Sequence, residues 1–273
     1  MNCLVQLILI FIFLIFSTYA KADDWDKYLH LMDRFYSLDN QRFESISCNI
    51  EVPLTKNFVK QLHDQFDSRK DKIELKENLS EFSLTYSRGS GLKFKYPLLE
   101  AKIISEEGVA DPSKLRKGVE MVNAGFKQQI EGTVMQLQGL FQEFETPKKS
   151  AFKIIEIKED EDSYTIVYEK DNYNVAETYS KNQRKTILKS KDGSEMSSLE
   201  DYRKIEDGKM LFTSASARFT NSISDAEMDM TVSYEKVKDI LFPSRILGRF
   251  KQTIQTIRQE GEIVTRLNNC ILR

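Results

Sequence analysis

After Pro147 the chain turns to strands and shows no helical segment of strength comparable to those before it. The segments 152–158, 164–168, 186–189, 202–205, 210–219, 227–234, 244–250 and 263–272 carry β-branched and aromatic residues in runs of strand length. Turn signals at Asp160-Glu161-Asp162, Asp192-Gly193, Asp207-Gly208 and Glu260-Gly261 separate many of them. Consecutive strands joined by short turns, with no crossover helix between them, imply an antiparallel meander. The clearest strand sends Met228, Met230, Val232 and Tyr234 to one face and Asp229, Thr231 and Ser233 to the other, as a sheet with one covered side requires. Such a face needs a helix or a ligand over it.

The N-terminal half supplies helices. Trp25, Tyr28, Leu29, Met32, Phe35 and Tyr36 recur at helical spacing over 24–36, and Phe58, Val59, Leu62 and Phe66 do so over 56–66. Between them Ile46, Cys48, Ile50 and Val52 alternate along a strand that Pro53 ends. Residues 69–78 read as a polar connector, and 82–86 and 92–96 as strands around the turn Arg88-Gly89-Ser90-Gly91. The longest element, about 30 residues, opens with an Asp111 cap and Pro112 and stops before Pro147. Gly118, Gly125, Gly132 and Gly139 fall seven apart along one line of this helix, beside a broad stripe that includes Phe126, Ile130, Val134, Leu137, Leu140, Phe141 and Phe144. Four glycines weaken a helix by about 4 kcal/mol relative to alanine. Either the helix packs backbone-close or shifts over a cavity, or it is a core helix that tolerates them.

Leu4 to Phe16 is an apolar run interrupted by Gln6, and Ala20-x-Ala22 follows it. The run has the length of a signal-peptide core and falls short of a transmembrane span of about 18 residues. Residues 1–22 are therefore expected to be an export signal cleaved before Asp23, leaving 23–273 as one domain in the periplasm or secreted. Met1-Asn2-Cys3 carries no Lys or Arg, which leaves an uncleaved anchor as the alternative. Cys3 leaves with the signal. Cys48 and Cys270 then form an obvious pair for a disulfide in an oxidising compartment, the alternative being two small buried hydrophobes that never meet. Asn78-Leu79-Ser80 is a glycosylation sequon, relevant in a eukaryotic secretory pathway.

Charged residues make up 30% of the chain and nearly cancel, at a net charge of −2. That balance argues against a nucleic-acid partner, which calls for a basic stripe. His30 and His63 sit in helical segments among apolar neighbours, with no ligand cluster of zinc spacing. Gly-x-Ser-x-Gly and the phosphate-binding glycine motifs are absent. No catalytic, metal or cofactor site is expected. Aromatic and Met side chains on both the long helix and the sheet face suit a flexible apolar ligand, and equally suit an ordinary core.

Gly91-Leu92-Lys93-Phe94-Lys95-Tyr96-Pro97-Leu98-Leu99, followed by Ile103-Ile104-Ser105-Glu106-Glu107-Gly108, resembles the periplasmic lipoprotein carriers of the LolA type. Tyr234-Glu235-Lys236-Val237 with Leu241-Phe242-Pro243-Ser244-Arg245-Ile246 is similar to their late hairpin. This chain has Tyr96 where those carriers have an arginine that forms part of a lid. The resemblance implies an α+β fold: an incomplete antiparallel β-barrel, a half-barrel meander, with helices covering its concave face. It further implies a non-enzymatic protein of the bacterial cell envelope that holds lipid or lipoprotein acyl chains, with peripheral membrane contact at most. The residues expected to touch the chain are Phe94, Tyr96, Phe126, Ile130, Val134, Met228, Met230, Val232 and Tyr234. The alternatives are an envelope interaction module with a filled core and, third, a hydrolase.

Overall fold

Side-chain alternation along the strands builds one twelve-stranded sheet in which every neighbouring pair is antiparallel. The structure, a computed structural model, describes residues 22–38, 41–66, 72–88, 90–142, 144, 153–170, 173–190, 193–221, 224–254 and 257–273. The apolar run 4–16 and the helix stop at Pro147 lie outside them.

In chain order the elements are α1 (Ala22–Met32), β1 (Ser45–Glu51), α2 (Pro53–Phe66), β2 (Ile73–Asn78), β3 (Ser83–Ser87), β4 (Gly91–Lys95), β5 (Leu98–Ile103) and α3 (Pro112–Gln142). The meander follows: β6 (Lys153–Glu159), β7 (Tyr164–Lys170), β8 (Tyr173–Tyr179), β9 (Gln183–Ser190), β10 (Glu195–Lys204), β11 (Met210–Thr220), β12 (Ser224–Val237), β13 (Ile240–Ile254) and β14 (Ile257–Leu272). Strands β6 to β14 lie side by side in sequence order, and β14 then pairs with β1, which leads on to β3 and β4. The sheet is curved and open, with β4 and β6 as its edges, so the fold is α+β with the geometry of a half-barrel. Residues 73–78, read as a connector, form β2 and pair with β5 in a separate ribbon.

Two cores fill the concave side. The larger gathers Phe126, Ile130, Val134, Leu137, Leu140 and Phe141 of α3 with β1, β3 and the β11–β14 end of the sheet. The smaller seats Trp25, Tyr28 and Leu31 of α1 on Ile166, Tyr168, Val175, Tyr179 and Leu188 of β7–β9. Phe35 packs against both, and its ring meets Tyr202 at 4.8 Å and Tyr179 at 5.8 Å.

Cys48 and Cys270 are joined by a disulfide, with Cα atoms 4.2 Å apart and a sequence separation of 222. The register of β1 against β14 runs Ser47↔Ile271 and then Asn49↔Asn268, so β14 carries an extra residue opposite Cys48. Asn269 absorbs it at φ 53, a left-handed conformation that asparagine tolerates better than most residues.

Candidate ligand-binding face

Helix α3 is positioned from both ends. The Asp111 carboxylate accepts hydrogen bonds from the Lys114 amide at 3.1 Å and the Ser113 hydroxyl at 2.7 Å, capping the first turn. Asn123 holds the helix to β5, donating to the Ala101 carbonyl and accepting from the Ala101 amide, each at 2.9 Å. Near the other end Gln136 comes within 3.0 Å of where a Cβ on Gly248 would stand, and Thr265 donates to its amide oxygen at 3.3 Å. Glycine at 248 makes this close approach possible. Gly118, Gly125 and Gly132, by contrast, face open space, so they do not seat the helix against a neighbour.

The residues expected to hold a ligand separate into three groups. Phe126, Ile130, Val134, Met230 and Val232 are buried together in the larger core, with Phe94 and Tyr234 packed at its margin. The expected meeting of helix stripe and sheet face is therefore present, and side chains fill it: Phe141 lies 5.3 Å from Phe242, and Phe144 lies 6.1 Å from Tyr234. Tyr96, expected among the contacts, is 56% exposed beyond the end of β4 and stands away from the concave core. Met228 is half-buried and belongs to no core cluster among the described residues.

Met228 lies one row beyond Met230, toward Gln252. Strand register carries a concave-facing row from Ala217 through Met228 and Phe250 to Gly261. The next row runs from Phe219 through Ala226 and Gln252 to Gln259, while Ile263 lies beside Gly248. Phe250 sits over Gly261, its ring 2.7 Å from where a Cβ would stand, so this glycine is the floor on which the ring rests. Phe250 and Ile263 are half-buried and, like Met228, belong to no core cluster among the described residues. Gln252, next in line, is only 2% exposed, and its amide oxygen and nitrogen have no hydrogen-bond partner among the described residues.

A second group of inward residues was hidden from sequence reasoning. Glu177, Arg184, Thr186, Ser198 and Glu200 are buried on β8–β10, at positions where alternation calls for apolar side chains. Tyr168 donates to Glu177 at 2.8 Å and Tyr179 donates to its other oxygen. Burial, followed by the Glu177 charge, pushes both phenols well above their ordinary pKa. Arg184 Nε and Nη2 each lie 2.5 Å from Glu200 Oε2, to which Tyr202 also donates at 2.8 Å. These polar groups satisfy one another beside the core that α1 covers, as buried charges must.

Elsewhere, a depression of about 780 Å³ opens where β14 leaves β13 for β1, between Phe242 and Ser244 on one wall and Asn268 and Ile271 on the other. His30 is exposed on α1, and His63 Nε2 lies 3.4 Å from Glu77 in an exposed pair. No group of three or more His, Cys, Asp or Glu placed to hold a metal ion occurs among the described residues. No helix among them is long and apolar enough to cross a membrane. No protein-family model, curated protein or solved structure matches the chain.

Proposed function

We propose that this is an exported, non-catalytic protein of the cell envelope that binds an acyl chain or another elongated apolar ligand on the concave face of its half-barrel. The observation that carries this reading is the strip of Met228, Phe250 and Ile263, which faces the concave side and lies outside the core clusters formed by the described residues. Apolar side chains left out of a core at the bottom of a curved sheet favour an apolar guest, since covering them removes surface from water at about 25 cal/mol per Å². Met228 suits a flexible chain because its thioether adapts to irregular partners. The sequence likeness to LolA-type carriers supports the same class of ligand. Residues such as Phe126, Ile130 and Val134 act in this reading as the filled wall of the site, and Met228 as its floor. Export is supported by the disulfide, which is compatible with an oxidising compartment.

The test is purification from the native host without denaturant, followed by solvent extraction and mass spectrometry of both protein and extract. Bound lipid, a chain starting at Asp23 and the mass of the oxidised form are expected. Met228→Lys on the concave face should abolish binding of a fluorescent fatty acid, whereas Thr231→Lys on the opposite face of the same strand should leave it intact. Protein that arrives empty and takes up no such probe overturns the proposal, and favours a module whose core is simply full.

A further inference from the structure

We infer that the ligand of this face carries a carboxamide at its end, recognised by Gln252. The inference rests on the apolar strip proposed above and adds the chemistry of its polar terminus. Gln252 follows Phe250 by two residues on β13, so the two side chains share the concave face, and cross-strand pairing sets Gln252 between Ala226 and Gln259. The row it belongs to is apolar on the β11 and β12 side, with Phe219 and Ala226, and the adjacent row is Ala217, Met228 and Phe250. Gln252 is thus the polar end of an otherwise apolar track.

Its burial makes that position costly in the free protein. A primary amide has two donor hydrogens and an acceptor oxygen, and leaving such a group buried and unpaired costs about 1–3 kcal/mol. Both ends of the Gln252 amide are in this condition, while Ser224 nearby, also buried, has its partner in Asn221 at 3.1 Å. A group that satisfies both atoms at once must offer a donor and an acceptor side by side. A carboxamide does so in a reciprocal pair of hydrogen bonds. An ionised carboxylate offers acceptors alone and leaves the Gln252 oxygen unpaired, and an ester has the same defect.

The experiment uses the full oxidised, exported chain and displacement of a bound fluorescent fatty-acid probe by palmitamide, palmitate and methyl palmitate. Methyl palmitate keeps one of the two hydrogen bonds, so the second, at about 1 kcal/mol, makes palmitamide about fivefold more effective. In Gln252→Leu, and in Gln252→Met as a second variant of similar volume, the advantage of palmitamide over methyl palmitate should vanish while the probe still binds. Equal displacement by all three in the native protein, or a preference for palmitate, overturns the carboxamide assignment and leaves the apolar strip standing. Persistence of the amide preference in both variants also overturns it. Failure of the probe to bind at all removes the strip itself, and the assignment with it.

Discussion

At the scale of the residue, the decisive groups are the charged ones that lie inside. Arg184 and Glu200 are each about nine-tenths buried, on adjacent strands in direct register. Taking two charges out of water is offset only when geometry and further hydrogen bonds are good, and here Tyr202 supplies the additional donor. Arg184→Met alone leaves a buried carboxylate without its cation and should cost about 3–5 kcal/mol of unfolding free energy in urea denaturation. The double variant Arg184→Met, Glu200→Leu should recover most of that loss, because an apolar pair of similar volume carries no desolvation penalty. A double variant as unstable as the single one would mean that the pair fixes the packing of β9 and β10 in a way that its charge does not describe. The Tyr168–Glu177–Tyr179 group is the same solution reached with hydroxyls in place of a cation.

Among the elements, α3 and the strands beside it separate what sequence pattern can reveal from what it cannot. Gly118, Gly125 and Gly132 lie in a regular helix with nothing within 4 Å of where a Cβ would stand, so alanine at each should stabilise the protein by about 1 kcal/mol. Thermal unfolding of the triple variant measures this, and any destabilisation would mean that the helix needs its glycines to move. The helix itself was legible because its Asp111 cap, Pro112 and apolar stripe agree with one another. So was β12, whose Met230 and Val232 alternate with Thr231 and Ser233 and are buried as that alternation requires. Strand β8 was not, since Glu177 occupies an inward position between Val175 and Tyr179 and breaks the period-two signal. The early part of β10 was hidden likewise by inward Ser198 and Glu200. Of the expected ligand contacts, pattern placed Met228 on the correct face, while neither the position of Tyr96 nor the exclusion of Met228 from the core could be read without the third dimension. Gln252 escaped notice because a lone glutamine in a polar stretch carries no periodic signal.

Taken as a whole molecule, the sheet is open at β4 and β6 and is joined in its interior where β1 meets β14. The Cys48–Cys270 bond spans 222 residues of sequence, and in the chain-entropy account a loop of that size restricts the unfolded state by about 5 kcal/mol. Reduction, or the Cys48→Ser, Cys270→Ser variant, should therefore lower the denaturation midpoint by a corresponding amount, and an unchanged midpoint with and without reductant would show that the β1–β14 ladder suffices. That ladder continues to the terminus, where Arg273 and Ser45 exchange backbone hydrogen bonds at 2.9 and 3.3 Å. Among the described residues, β14 is the strand that joins the β4-β3-β1 ribbon to the long meander. Until its 16 residues emerge from the ribosome, a nascent chain holds two unjoined sheets, each with a bare edge at β1 or β13 that could pair with a wrong neighbour. Joining of the two sheets thereby waits for β14, and a chaperone guarding those two edges would have its natural point of release when that strand arrives.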